Sequence, residues 1–167
     1  MGEIQELKRM FEQIQKAMPT IDHFVHNAGC MINTLEYTSD CIEKNFATNT
    51  LSVYYLTKLS LPLMHKESRT IVVSSGGMYT QKLVTKDIFM TKDFDGTAQY
   101  ARNKRQQVCM MEEFQRRYPD KGLFVSMHPG WVDTPALRSS MPDFYEKMKN
   151  ELKDQEEGAD TINYLLV

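Results

Sequence analysis

Tyr100-Ala101-Arg102-Asn103-Lys104 sets a phenol and an ammonium four residues apart. On a helix, positions i and i+4 share a face, so both groups can address one point. A tyrosine with a pKa of about 10 is a poor base at neutral pH. An ammonium about 4 Å away, at an effective dielectric of about 20, favours the phenolate by roughly 4 kcal/mol. Before desolvation is subtracted, that brings the phenol into range for acid/base work. A hydroxyl at Ser75 could then hydrogen-bond a carbonyl oxygen while Tyr100 donates or removes the proton. The chemistry expected is interconversion of a carbonyl and an alcohol.

Spacing alone does not select this pair, because Tyr54/Lys58 and Tyr145/Lys149 repeat it. Context does. Tyr54 falls among apolar neighbours in a long helical pattern and Tyr145 in an irregular stretch, where both read as structural. Only Tyr100 follows a strand-end serine and precedes a strand ending in Pro129-Gly130.

The elements that must hold these residues are legible in hydrophobic period. Ile4, Leu7, Phe11, Ile14 and Met18 recur at helical spacing, and Pro19 ends that helix. Residues near 21–26 form a short apolar strand closed by Asn27-Ala28-Gly29. Thr38-Ser39-Asp40 reads as a helix start, with the helix running to about His65. The β-branched run near 70–75 is a buried parallel strand ending in Ser75-Gly76-Gly77. A polar loop over 78–97 leads to a helix over about 97–118 and a strand near 122–128. Residues 131–156 are expected to be mobile, and a last helix starts near Glu157. There, Met141, Phe144, Tyr145 and Met148 read as the packing face of a short helix rather than a substrate lid.

This alternation predicts an α/β fold: one domain over 1–167, a partial Rossmann-like, doubly wound parallel sheet with helices on both faces. In such sheets the ligand crevice lies beyond the carboxyl ends of the strands. Asn27-Ala28-Gly29, Ser75-Gly76-Gly77 and Pro129-Gly130 all fall there. Glycines at three strand exits suit a flat, charged ligand that approaches the backbone closely.

Composition narrows the classes. The chain has 167 residues, 41% hydrophobic and 25% charged, with a net charge of −2. Nothing in that balance attracts nucleic acid or an anionic membrane, and no apolar run reaches the length of a membrane span. Cys30, Cys41 and Cys109 are widely separated and odd in number, which fits a reducing compartment better than a disulfide framework. His23, His26, His65 and His128 lack ligand spacing, so no metal site is expected. The start lacks the apolar stretch of a signal peptide, and an intracellular, cytoplasmic location is the expectation.

The order Asn27-Ala28-Gly29, Asn49, Ser75, Tyr100/Lys104, Pro129-Gly130 and Thr134 resembles the short-chain dehydrogenase/reductase family over nearly the whole chain. The stretches 73–78, 103–108, 127–131 and 133–135 are similar to one vertebrate branch of it. The resemblance implies an NAD(P)-dependent oxidoreductase acting on a small apolar carbonyl/alcohol pair, with NADP or NAD as cofactor. It implies Tyr100 as general acid/base, Lys104 as the group that lowers its pKa and holds the nicotinamide ribose, and Ser75 as the group orienting the substrate oxygen. Asn49 would anchor a water linking Lys104 to solvent. Asn27, Ala28 and Gly29 would lie beside the adenosine half of the cofactor, and Pro129, Gly130 and Thr134 would flank the nicotinamide and phosphates. Possible homo-oligomer contacts fall on the helices at about 40–65 and 97–118.

Two departures stand out. The family's usual first asparagine before Asn-Ala-Gly is His26 here, read as a packing change. No Gly-x-x-x-Gly-x-Gly pattern occurs anywhere in the chain. Such a turn is the main dinucleotide phosphate site, and two βαβ units carrying it would represent roughly 50–60 residues before residue 1. A final strand is likewise expected after Val167. The sequence therefore reads as an incomplete dinucleotide-binding domain, inactive alone, with a catalytically inactive fragment or isoform that at most binds as the alternative.

Overall fold

The computed structural model describes residues 2–167. Three parallel strands form the centre: β1 (His23–His26), β2 (Arg69–Val73) and β3 (Leu123–Met127), in the order β1-β2-β3. Register runs from His23 opposite Arg69 to His26 opposite Val72, and from Arg69 opposite Leu123 to Val73 opposite Met127. The strands are slightly shorter than the apolar runs that announce them. β2 ends at Val73, although the Ser74 amide still donates to the Met127 carbonyl of β3 at 2.7 Å.

Both faces are covered, as the near-continuous apolar strands require. Helix α1 (Ile4–Ala17) buries Leu7 and Phe11 against Ile21 and Leu56. Val72 and Phe124 meet Val53, Met111 and Phe114 on the same side of the sheet. On the opposite side, Ile71, Val73 and Met127 pack against Ile162, Leu165 and Leu166. Those three belong to α7 (Gln155–Leu166), which starts in a capping box of Asp154 and Glu157. The Arg69 guanidinium donates to the Leu165 and Val167 carbonyls, satisfying acceptors that the end of α7 leaves open.

The long helix after β1 departs from expectation at its start. It begins not at Thr38-Ser39-Asp40 but with α2 (Lys44–Phe46), capped by the Glu43 carboxylate, which accepts from the Asn45 and Phe46 amides. Asp40 instead accepts from the Ile4 amide, and the Ser39 hydroxyl donates to Glu3. The cap-type residues do tie down a helix, but it is α1, 36 positions away. Cys41, at φ 58°, turns the chain between the two. After α2 come a π-helical turn at Ala47–Leu51, α3 (Ser52–Ser60) and a short 3₁₀ turn at Leu61–Leu63.

A 3₁₀ turn at Gly76–Thr80 follows β2, and an irregular loop leads to α4 (Gly96–Arg117), capped by Asp95. Gly96 lets α4 start hard against the loop after β1: a Cβ there would sit 2.3 Å from the Ile32 carbonyl oxygen. Residues 131–156, expected to be mobile, contain α5 (Pro135–Ser140) and α6 (Pro142–Met148), each opened by a proline in its first turn. Trp131 packs on Phe144, ring centroids 4.4 Å apart, which explains why the aromatics recur in this stretch. Among the described residues, no helix is long and apolar enough to cross a membrane.

Candidate active site

The strand exits bring most of the expected residues together. Ser75 leaves β2 in extended backbone and its Oγ accepts from the Gly77 amide at 3.2 Å, fixing the hydroxyl at the rim of the sheet. Tyr100, in the first turns of α4, lies near enough to Ser75 for that hydroxyl to act on its phenol. The neighbouring Ser74 has a different task. It is buried, and its hydroxyl donates to the Lys104 carbonyl at 3.0 Å, pinning α4 to β2.

Lys104 lies under this pair and is only 3% exposed. Its Nζ donates to the Val73 carbonyl at 2.7 Å and sits 5.3 Å from the centre of the Tyr100 ring. The ammonium thus meets the ring face and the end of β2, not the phenol oxygen. This corrects the electrostatic expectation. The Tyr100 hydroxyl is pushed above its ordinary pKa, because burial outweighs the opposing pull of the Ser75 hydroxyl. Burial likewise lowers Lys104 to about 8. In this arrangement Lys104 does not hold the phenol ionised; desolvation dominates both groups.

Asn49 sits in the π-helical turn and is fully buried. Its side chain brackets one residue of the turn after β1: Oδ1 accepts from the Cys30 amide at 2.9 Å and Nδ2 donates to the Cys30 carbonyl at 2.8 Å. Its main-chain carbonyl accepts from the Gln107 side chain at 2.5 Å. Asn27, Ala28 and Gly29 are exposed at the exit of β1. A Cβ at Gly29 would lie 3.1 Å from Asn49 Oδ1 and 3.7 Å from Lys104 Nζ, so the bare backbone there leaves the lysine's end of the site open.

The exit of β3 contributes Pro129 and Gly130, the latter at φ 85°, where glycine is favoured. The Gly130 amide donates to His128 Nδ1 at 3.1 Å. Thr134 caps α5 by accepting from the Leu137 amide. It holds the start of α5. A cavity of about 230 Å³ opens beside Ser75, walled by Met78, Val108, Met127 and His128.

His26 turns inward, 2.9 Å from the Thr57 hydroxyl and with its ring tilted 43° against that of Phe24, as a packing change requires. Of the other Tyr-x-x-x-Lys pairs, Lys58 bonds the Tyr118 hydroxyl rather than Tyr54, and Lys149 pairs with Glu146. Sequence reasoning missed Gln107, Glu43 and Cys30. No spacing rule marks a buried glutamine that answers a helix irregularity elsewhere in the chain.

The family model described as short chain dehydrogenase matches residues 1–144. "Dehydrogenase/reductase SDR family member 12" of Bos taurus is 50% identical over 149 residues, which cover 87% of this chain and 47% of that protein. The protein of the same name from Homo sapiens is 49% identical over 144 residues, 84% of this chain and 45% of its own length. The chain spans about half the length of the curated relatives it matches. Among solved structures, a short chain dehydrogenase from Burkholderia cenocepacia in complex with NADP superposes with a TM-score of 0.75 at 15% identity, covering 99% of this chain and 66% of that one. A short-chain dehydrogenase/reductase from Serratia marcescens gives a TM-score of 0.74 at 22% identity, with 99% and 66% covered.

Proposed function

The chain belongs to the short-chain dehydrogenase family, and on that premise we propose that it carries the proton-transfer half of an NAD(P)-dependent oxidoreductase for a carbonyl/alcohol pair. The observation carrying this reading is the Ser75 hydroxyl beside the Tyr100 phenol, with Lys104 buried against the same ring, at the carboxyl end of a parallel sheet.

A nicotinamide cofactor, when bound, supplies or accepts the hydride at the carbon. The residues present suit its nicotinamide and ribose end. Gly29 leaves bare backbone beside Lys104, and the ammonium spends one hydrogen bond on Val73, leaving donors for ribose hydroxyls. On this reading Asn27 and Ala28, exposed at the exit of β1, lie beside the adenosine half, and Pro129, Gly130 and Thr134, the last capping α5, flank the nicotinamide and phosphates. The phosphates lack a glycine-rich turn within this chain.

Each side chain then has a separable task. Ser75 donates to the substrate oxygen and orients it. The Tyr100 hydroxyl gives its proton to that oxygen as the carbon becomes tetrahedral, and takes it back in the reverse direction. A phenol whose pKa is raised by burial stays protonated at neutral pH, which favours the donor role and the reductive direction. Lys104, still mostly protonated at neutral pH with its pKa lowered to about 8, keeps positive charge against the Tyr100 ring as the phenolate forms. Asn49 acts on the turn that borders the lysine. The apolar walls of the cavity beside Ser75 favour an apolar substrate, and α3 and α4 are the helices on which a homo-oligomer would form.

Calorimetric titration with NADPH and NADH, followed by an absorbance assay of NADPH oxidation with small apolar ketones, tests the proposal on the full-length protein. Saturable binding with ketone-dependent oxidation is expected. Absence of both refutes it. A second reading, binding without turnover, has in its favour that the chain contains no glycine-rich phosphate turn. On that reading the 167-residue chain alone shows no micromolar affinity for either dinucleotide.

A further inference from the structure

Gln107 lies about one helical turn beyond Lys104 on α4 and is fully buried. Its Nε2 donates to the Asn49 carbonyl at 2.5 Å, while its Oε1 has no partner among the described residues. An unpaired buried amide oxygen carries a desolvation penalty that an apolar side chain of equal size would avoid. The retained amide is therefore explained by what its nitrogen does.

Asn49 sits inside the π-helical turn, where the Ser52 amide reaches back five positions to the Ala47 carbonyl. A π turn takes carbonyls out of the ordinary four-residue ladder, and a buried acceptor freed in this way needs another donor. Gln107 supplies one from a different helix, 58 positions away. The result is felt at the site. With its backbone so held, Asn49 turns both side-chain amide atoms onto Cys30, and its Oδ1 lies under Gly29, which borders the Lys104 ammonium.

We infer that Gln107 is a positioning residue: it holds the π turn in place and, through Asn49, sets the Gly29–Cys30 turn as the wall beside Lys104. The inference rests on the reading of Tyr100 and Lys104 as the reacting pair, but its test does not need cofactor or turnover. Gln107→Met removes the donor at nearly constant volume. Gln99→Met is the control, since Gln99 is also fully buried on α4 with an unpaired Oε1, but serves Glu43 and the Ile88 carbonyl.

Two readouts by NMR distinguish positioning from general destabilisation. In Gln107→Met, the Cys30 amide should exchange with solvent about tenfold faster than in the control at matched global stability. The Lys104 titration midpoint should also rise from about 8 toward the ordinary lysine value, as water reaches the ammonium. Gln99→Met should leave both within about twofold of wild type. Equal effects in the two variants, or no change in Gln107→Met, overturn the inference. Should Gln107→Met fail to fold, the wild-type chain decides. The Gln107 side-chain amide protons must exchange at least about tenfold slower than those of exposed Gln13, and exchange at the same rate overturns it. Failure of these readouts leaves the proposed activity standing, and failure of the activity assay leaves the hydrogen-bond linkage standing.

Discussion

Lowering the pH from 7 to 5 should cost this protein stability through one side chain, His26. The ring is 7% exposed, with its centroid 4.3 Å from that of Phe24. The Thr57 hydroxyl donates to the Val53 carbonyl at 2.7 Å, so its oxygen is left to accept from the His26 Nε2–H at 2.9 Å. That arrangement holds the neutral ring, and burial lowers its pKa from 6.5 to about 4. The unfolded chain therefore binds the proton first. Stability is fully present above about pH 6.5 and is lost as pH falls toward 4. At pH 5 the two pKa values correspond to a loss of about 2 kcal/mol, and near pH 4 about 3. Urea unfolding at pH 7 and pH 5, followed by circular dichroism, measures it. His26→Asn, the residue the family usually carries there, should remove that component, because the side chain no longer titrates. The comparison is a difference between two pH values within each protein, so any loss of packing in the variant cancels. If His26→Asn loses as much stability as wild type between pH 7 and 5, the assignment to His26 is wrong.

Two further outcomes follow from burial and backbone geometry. Lys104→Met should raise thermal stability at pH 7, because burying the ammonium destabilises the fold fully below its pKa of about 8, a penalty that fades only as pH rises toward the ordinary 10.5. The gain is bounded at about 3 kcal/mol before the lost bond to Val73 is subtracted, and a clear drop in the melting temperature would contradict it. Gly122→Ala should destabilise by more than about 2 kcal/mol in equilibrium unfolding. Gly122 holds φ 99°, and a Cβ there would fall 2.0 Å from the Ser68 carbonyl oxygen, so a neutral result would mean that the turn into β3 is placed incorrectly.

The strands and the covering helices were legible because their signals are local. β2 is apolar without alternation, as a strand buried on both faces must be, and Ile4, Leu7, Phe11 and Ile14 repeat at the helical period. The gathering of Ser75 and Tyr100 was legible too, since strand-exit chemistry follows from the α/β alternation. What escaped is what long-range contacts decide. Thr38, Ser39 and Asp40 have the side chains of a helix cap, and nothing local tells that Asp40 serves Ile4 while Glu43 starts the next helix. The π turn has no propensity signature, and Gln107 gains meaning only through a carbonyl on another helix. The pull of Lys104 on Tyr100 was overstated because spacing gives proximity but not burial or direction. The ammonium points at Val73, and desolvation, which spacing cannot measure, prevails.

The Tyr100 hydroxyl is the group on which the proposed chemistry turns. Single-turnover oxidation of bound NADPH, in the full-length protein with a ketone that wild type reduces, isolates it from cofactor binding. Tyr100→Phe keeps the ring above Lys104 and removes only the oxygen. The account predicts unchanged NADPH affinity with hydride transfer slowed by at least about a hundredfold. Transfer at the wild-type rate would contradict it.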